Sequence, residues 1–261
     1  KPMNYRLSVI VPSIRPQNLE VLYRSIKQTF HGESEMIVVG PYKPPELVYT
    51  QKDVVFIEEW GRPVRAQQRG LIACRGDYVS WASDDGQYTP YALDIAFGKL
   101  ALEQFSLKTL VMGKYREGDG DTDPMVEDKY YYLANHDGAR SRFLDKSYLM
   151  LNVGLVPREL LIEYGGWDCR FEACPYAYND LANRLQNNKI KFIIQNEIMF
   201  TCSHLPGIQG DHAPIHYGQT EHDEPLFKRI YGERGCEKRG KIDINNWESS
   251  PARWERRFGK A

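Results

Sequence analysis

The chain has 261 residues, of which 42% are hydrophobic and 26% charged, and its 34 basic and 35 acidic side chains nearly cancel. This composition predicts a soluble globular protein, and the balanced charge indicates neither nucleic acid nor a membrane surface as a partner. No apolar run approaches the roughly 20 residues that span a bilayer. Five cysteines without Cys-x-x-Cys spacing favour reduced thiols and a cytoplasmic location. Peripheral association with a membrane and the oligomeric state stay open.

The first half of the chain alternates strands and helices. Leu7–Pro12 is a continuous apolar run closed by proline, which is typical of a buried parallel strand. Apolar residues at helical spacing follow over 18–30, and Glu35–Gly40 is a second buried strand. Strand, helix and strand in this succession predict a right-handed, parallel βαβ unit.

The same alternation continues to the middle of the chain. Asp53–Glu58 is a third strand, the spacing over 62–74 predicts a helix, and a fourth strand begins at Gly76. A helix over 91–105 and a strand over 107–112 come next. The long segment 113–147 is interpreted as a flap on the acceptor side of a site or, equally well, as a surface insertion.

Two adjacent carboxylates, Asp84 and Asp85, follow the fourth strand and precede Gly86. Carboxylate oxygens at the end of a buried strand suit a hard cation such as Mg²⁺ or Mn²⁺. Ligands of open α/β sheets bind at that same edge. Asp-Asp-Gly is also a common turn sequence. Other parts of the sequence are therefore needed to distinguish a metal-binding site from a plain turn.

The second half predicts a strand over 152–157, a helix over 158–164, a helix over 180–187 and two strands over 190–194 and 198–201. We expect one α/β domain over residues 1–217, with a nucleotide-binding half to about 112 and an acceptor half from 113. Residues 218–261 are expected to form a C-terminal extension packed on this domain. Its mixed charges predict a solvated, partly helical segment, with Trp247 and Trp254 as anchors.

Three motifs, in this order and spacing, resemble the family 2 glycosyltransferases over about residues 5 to 200. The first is Ser8–Ser13, a strand that ends in Pro-Ser. The second is Ala66–Asp85, a helix followed by Gly-Asp-Tyr-Val and then by Asp84 and Asp85, the acidic corner. The third is Gly165–Asp168 followed by Asn179–Leu185. The resemblance implies the GT-A fold, a Rossmann-like α/β fold with a mostly parallel central sheet flanked by helices.

The resemblance also implies a function in polysaccharide biosynthesis. Such an enzyme moves a sugar from a nucleotide-diphosphate sugar, here most simply a UDP-sugar, to a hydroxyl of a glycan-type acceptor. A divalent cation, Mn²⁺ or Mg²⁺, offsets the charge that develops on the leaving group. Asp85 matches the main metal ligand, and Asp84 would face the ribose or the metal through water. Ser83 stands where the family has its first aspartate.

Donor-binding residues follow from the same likeness. Pro12 and Ser13 would line the base, with Arg15 close to the base or the phosphates. Arg69, on the helix before the acidic strand, could reach the diphosphate, although surface ion pairing is the alternative. The second strand ends in Gly40 where the family has an aspartate that contacts the nucleoside, which leaves the base unspecified.

An inverting transfer needs a general base to deprotonate the acceptor hydroxyl. The resemblance implies a carboxylate at the start of the helix after Gly165–Asp168, and Asp180 is the candidate. A carboxylate there could also simply favour the helix dipole. Asp168 is the second choice, and the segment between the two lacks the Glu-Asp pair of the family.

Four of the six histidines lie between residues 204 and 222, among aspartates. Imidazoles and carboxylates gathered after a final strand suit a metal site. We expect His204, which follows the last strand directly, to complete the metal site, with His212 as the second choice.

Two other functions remain as alternatives. A sugar nucleotidyltransferase would need a glycine-rich basic loop after the first strand, and 13–16 is not one. A non-catalytic module that binds glycans or nucleotide sugars would tolerate the loss of Asp85 or Asp180, whereas an enzyme would not.

Overall fold

The computed structural model of the protein describes residues 5–118, 127–129, 149–202, 210–232 and 238–261. The strands of this part are β1 (Leu7–Pro12), β2 (Ser34–Gly40), β3 (Val54–Glu58), β4 (Tyr78–Trp81), β5 (Gly86–Tyr88), β6 (Thr109–Glu117), β7 (Glu127–Lys129), β8 (Gly154–Pro157) and β9 (Lys191–Cys202). The helices are α1 (Leu19–Thr29), α2 (Glu46–Tyr49), α3 (Pro63–Ala73), α4 (Ala92–Leu102), α5 (Arg158–Glu163), α6 (Cys174–Asn187), α7 (Ala213–Tyr217), α8 (Glu224–Tyr231) and α9 (Glu255–Phe258).

A single sheet organises these elements, in the order β3-β2-β1-β4-β8-β6-β9-β5, with β7 paired to β6. Strands β1 to β4 are mutually parallel, and β8 is antiparallel to both β4 and β6. Because β9 is parallel to β6, six of the eight strands on the described path run in one direction, and β8 and β5 are reversed. The predicted α/β fold with a mostly parallel central sheet is confirmed.

The apolar runs read from the sequence form the centre of the sheet. All seven residues of β2 are buried, and so are the first five of β1. Strands covered on both faces need such continuous apolar runs, because neither face reaches water. The parallel direction brings the carboxyl ends of β1, β2 and β4 to one edge.

Two elements of the second half differ from the prediction. The predicted strands over 190–194 and 198–201 are one strand, β9, whose register against β6 shifts between Met112 and Tyr115. The helix predicted over 180–187 begins six residues earlier, at Cys174, with Pro175 in its first turn. Proline is favoured there because its missing N–H is not needed. Asp180 therefore lies inside α6 and not at its start.

The C-terminal part of the chain packs against α3. The Gln68 side chain donates to the Ile244 carbonyl (2.8 Å), and Trp254 is only 3% exposed. The predicted anchoring role of Trp254 fits this burial, and the residues around it in 238–261 are exposed or half-buried. One continuous helical run over 213–231 crosses residue 217, where the sequence suggested a boundary. Among the described residues, none of the helices has the length and apolar character needed to traverse a bilayer.

Candidate functional site

A cleft of about 270 Å³ opens at the carboxyl ends of β1, β2 and β4. From the first half of the chain it is lined by 12–15, 39–41 and 82–85, the three segments that follow these strands. Its other wall comes from the start of α6, from His212 and Ile215, and from α9. Pro12, Ser13, Arg15, Asp84, Asp85 and His212, all predicted from the sequence, line this one cleft.

Asp84 shapes the loop after β1. Its buried carboxylate accepts hydrogen bonds from Ser13 Oγ (3.0 Å) and from the backbone N–H groups of Ile14 (2.8 Å) and Arg15 (2.7 Å), and it forms an ion pair with Arg15. These donors would be left unsatisfied without it. Asp84 thus positions the residues that line the cleft, and the predicted contact to a ribose stays a prediction.

Asp85 and His212 meet in the cleft from distant parts of the sequence. His212 Nε2 lies 3.4 Å from Asp85 Oδ2, and the other ring nitrogen lies 3.2 Å from Asp211. The turn Gly210–His212 is held there by Arg15, whose guanidinium binds the Asp211 carboxylate at 2.8 and 3.0 Å. His204, the first choice from the sequence, lies outside the described residues.

Arg15 stays charged in this environment. Burial by itself would lower the pKa of Arg15, but the hydrogen bonds that it donates to Asp211 and the charges of Asp84 and Asp85 outweigh burial and raise the pKa above its ordinary value. Its guanidinium lies 4.0 Å from Asp85. The Arg15 guanidinium therefore connects β1, the carboxylates Asp84 and Asp85, and the turn before α7.

Gly40, at the end of β2, lines the cleft beside Ser13. A Cβ at Gly40 would lie 1.8 Å from the Ser13 carbonyl oxygen, and the Ser13 N–H donates to the Val39 carbonyl (3.0 Å). The two strand ends are therefore in backbone contact. No side chain fits at this position without moving the end of β1.

We expect Gly40→Ala to lower the free energy of unfolding by about 1–3 kcal/mol, because the new methyl group forces the ends of β1 and β2 apart. Gly98→Ala is the matched control, since a Cβ there meets nothing within 4 Å inside α4. That control should gain about 0.5–1 kcal/mol from helix propensity. Urea denaturation measures both, and equal stabilities for the two variants would contradict the close contact at Gly40.

The predicted general base lies away from the cleft. Asp180 is fully buried, and its carboxylate binds Arg184 (2.9 Å), the Tyr231 hydroxyl (2.6 Å) and Arg239 (2.6 Å). It is absent from the lining of the cleft. A carboxylate held in this way ties α6 to Tyr231 and Arg239, and its complete burial does not support it as the base.

Asp168, the second choice, belongs to the same buried cluster. Arg239 bridges the two carboxylates, with a distance of 2.6 Å to Asp168, and Arg170 adds a further ion pair at 2.7 Å. Burial would raise the pKa of Asp168, but Arg170 and Arg239 outweigh it and lower the pKa below its ordinary value. Asp168 therefore remains ionised and bound to arginine.

The helix face explains which residues of α6 reach the cleft. Cys174, Pro175 and Tyr178 line it. A residue two positions further along an α-helix is rotated by about 200°, so Asp180 points away when Tyr178 points inwards. Burial, together with the neighbouring Cys174, raises the pKa of Tyr178 well above its ordinary value. Its phenol therefore stays protonated at the cleft wall.

Arg69 does not reach the cleft either. Its guanidinium binds the Glu59 carboxylate (2.9 Å) and stacks on Trp247, beside the ion pair of Arg65 with Glu59 (3.0 Å). This is the surface ion pairing that the sequence left as the alternative, and Arg69 is not among the lining residues.

Sequence reasoning missed a whole wall of the cleft. Trp254, Arg257 and Phe258, in the C-terminal segment, line it next to 39–41 and Glu59. The signal was present as a run of arginines and aromatic residues over 253–258, but a basic tail with mixed charges is usually solvated. Only the folded chain shows that this run faces a site.

Fold and cleft together define the class: an α/β protein of the GT-A fold, with its site at the carboxyl edge of the parallel strands. No protein-family model matches the chain, and no curated protein matches it. Among solved structures it is similar to TarS of S. aureus, with 16% identity and a TM-score of 0.56 over 77% of this chain. The structures of TarS 1–349 with UDP and with UDP-GlcNAc match at 16% and 17% identity, with TM-scores of 0.55 and 0.53.

The chain matches only part of each of these TarS structures. The chain covers 37% of the longer TarS structure and 61% and 59% of the two complexes, and each complex covers 77% of this chain. At these identities the comparison shows the fold, and membership of family 2 stays a prediction.

Proposed function

We propose that the chain is a metal-dependent glycosyltransferase that moves a sugar from a nucleoside-diphosphate sugar, most simply a UDP-sugar, to a hydroxyl of a glycan-type acceptor. The observation that carries the proposal is the approach of His212 to Asp85 beside Arg15 in a cleft at the carboxyl ends of β1, β2 and β4. TarS, which shares the fold, binds UDP and UDP-GlcNAc in its crystal structures.

The side chains at the acidic corner fit a divalent cation. Asp85 Oδ2 and His212 Nε2 are 3.4 Å apart, close enough to bind one ion as neighbouring ligands. No cluster of three or more histidine, cysteine or acidic side chains surrounds a point in the described part of the chain, so phosphate and water oxygens would complete the coordination. The mixed carboxylate and imidazole set favours Mn²⁺ over Mg²⁺. When bound, the ion would neutralise charge on the leaving nucleoside diphosphate.

Different residues of the cleft would bind different parts of the donor. Pro12, Ser13 and Gly40 line the cleft where β1 and β2 end, and the base would bind against them. The Arg15 cluster suits the phosphates, although Arg15 itself is shared between Asp84 and Asp211. Tyr178, kept protonated, offers a hydroxyl donor on the cleft wall.

The stereochemistry of the transfer is proposed from the resemblance to family 2. Inversion requires a general base, and the burial of Asp180 opposes its use as that base. NMR of the anomeric carbon in the product measures inversion independently of which residue removes the proton.

We expect UDP together with Mn²⁺ to stabilise the protein, because a ligand that binds only the folded chain adds about 2.7 kcal/mol at a hundred times its dissociation constant. Thermal unfolding with UDP, GDP, ADP and CDP, each with and without Mn²⁺, measures the effect, and hydrolysis of the corresponding nucleotide sugars measures chemistry. UDP without the metal should stabilise less.

The outcomes separate the rival functions. Binding without hydrolysis or transfer would favour a non-catalytic nucleotide-sugar-binding module. Release of pyrophosphate from a nucleoside triphosphate and a sugar 1-phosphate would favour a nucleotidyltransferase. No stabilisation by any of the four diphosphates would contradict a nucleotide-sugar site altogether.

A further inference from the structure

The C-terminal segment 251–261 is anchored firmly beside the cleft. The Trp254 N–H donates to the Trp60 carbonyl (2.9 Å), and its indole N–H donates to Glu172 (3.2 Å). Phe258 packs edge-on against the Trp60 ring, with 5.2 Å between centroids. These contacts attach the segment to the loop between β3 and α3 and to the chain before α6, so its side chains have fixed directions.

The three arginines of this segment differ in their partners. Arg253 donates to the carbonyls of Gly259 (3.0 Å) and Phe258 (2.8 Å). Arg256 forms ion pairs with Glu172 (2.8 Å) and Glu221 (2.6 Å). Their guanidinium groups are therefore used in holding the segment.

Arg257 is the exception, because its side chain lines the cleft. No carboxylate among the described residues lies within salt-bridge distance of it, although Asp211 and Asp84 act on it from farther away. Burial lowers the pKa of Arg257, and the charge of Arg15 acts in the same direction. A partly buried cation without a close anion costs free energy, and this cost is removed when an anion binds beside it.

The charges that act on Arg257 indicate which part of a ligand it would meet. Asp211, Arg15 and Asp84 belong to the cluster around Asp85, and Tyr42, which also acts on Arg257, follows the end of β2. An arginine there, opposite Arg15, suits an anion with several oxygens, since a guanidinium donates to two oxygens at once. Arg15 is bound to Asp84 and Asp211. Arg257 lies over the Trp254 ring, 5.6 Å from its centroid, and has no close carboxylate among the described residues, so its N–H groups can bind an anionic ligand.

We infer that the C-terminal segment is part of the donor site and that Arg257 binds the diphosphate of the nucleotide. This inference rests on the proposed function, and it adds a phosphate-binding residue that neither the sequence motifs nor the comparisons indicate. Trp254 and Phe258 complete the same wall and place the arginine.

The test is the affinity for UDP in the presence of Mn²⁺, measured by calorimetry for the unmodified chain, Arg257→Ala, Arg257→Lys and Arg24→Ala. Arg24 is an exposed arginine of α1 paired with Glu20, and its removal changes the net charge equally. We expect Arg257→Ala to weaken UDP binding by roughly tenfold to a hundredfold, as for the loss of a charged hydrogen bond. Arg257→Lys should recover part of the affinity, and Arg24→Ala should bind like the unmodified chain.

Uridine has no phosphate, so its affinity distinguishes the loss of a phosphate contact from a general distortion of the cleft. An NMR titration with uridine should show similar affinities for the unmodified chain and Arg257→Ala. UDP affinity unchanged in Arg257→Ala, or an equal loss for UDP and uridine with a lower melting temperature, would overturn the inference alone. Failure of the unmodified chain to bind UDP or another nucleoside diphosphate would overturn the proposed function, and this inference with it.

Discussion

Asp85→Asn is expected to reduce donor hydrolysis and sugar transfer at least about a hundredfold, because the amide removes the charge that would hold the divalent cation against the diphosphate. The loss should be largest at low Mn²⁺ and partly relieved at high Mn²⁺, since metal affinity is what the variant loses. Rates measured over a Mn²⁺ titration, with the melting temperature recorded in parallel, provide the check.

The matched control for this variant is Asp77→Asn, at the opposite end of the same strand. Asp77 is exposed and does not line the cleft. It should leave both the rate and the metal dependence unchanged. If Asp85→Asn keeps full activity with an unaltered Mn²⁺ requirement, the acidic corner is a turn and not a metal site.

Asp180→Ala is expected to destabilise the fold by about 3–5 kcal/mol, the cost of leaving a buried charge without its partner. Arg184, which is as fully buried as Asp180, would lose its carboxylate, and Arg239 would lose one of the two that it bridges. Urea denaturation measures this loss. Glu163→Ala is the control, because its ion pair with Lys241 is more than half exposed at both ends and should contribute at most about 1 kcal/mol.

The same variants decide the role of Asp180. If the carboxylate is structural, Asp180→Asn retains a substantial transfer rate per folded molecule while its stability falls. If it is the general base, Asp180→Asn folds normally and transfer falls by two or more orders of magnitude. The buried position and the three donors around the carboxylate lead us to expect the first result.

Much of the first half of the chain could be predicted because its signals are local. Leu7–Pro12 and Glu35–Gly40 are apolar runs that only a strand buried on both faces needs, and the structure has β1 and β2 there. The resemblance to family 2 implied one site for Pro12, Arg15 and Asp85, and the shared carboxyl edge of the parallel strands brings them together in the structure.

The helix containing Asp180 was predicted less well because the start of a helix and its buried face depend on neighbours. The two tyrosines and the asparagine between Cys174 and Asp180 have modest helix propensity, and packing under the chain around 223–231 stabilises that first part of α6. Once the helix starts at Cys174, its period turns Asp180 towards Arg184 and Arg239 and leaves Tyr178 at the cleft.

By itself, the sequence determined the α/β class, the carboxyl edge where ligands bind and the acidic corner at Asp85, because periodicity and strand ends are properties of neighbouring residues. Only the tertiary structure decided which distant groups meet there. It brought His212, the second choice from the sequence, to Asp85, turned Asp180 into the protein interior and placed Arg257 in the cleft wall. The physical reason is that each of these positions depends on long-range packing and charge pairing, which leave no periodic trace along the chain.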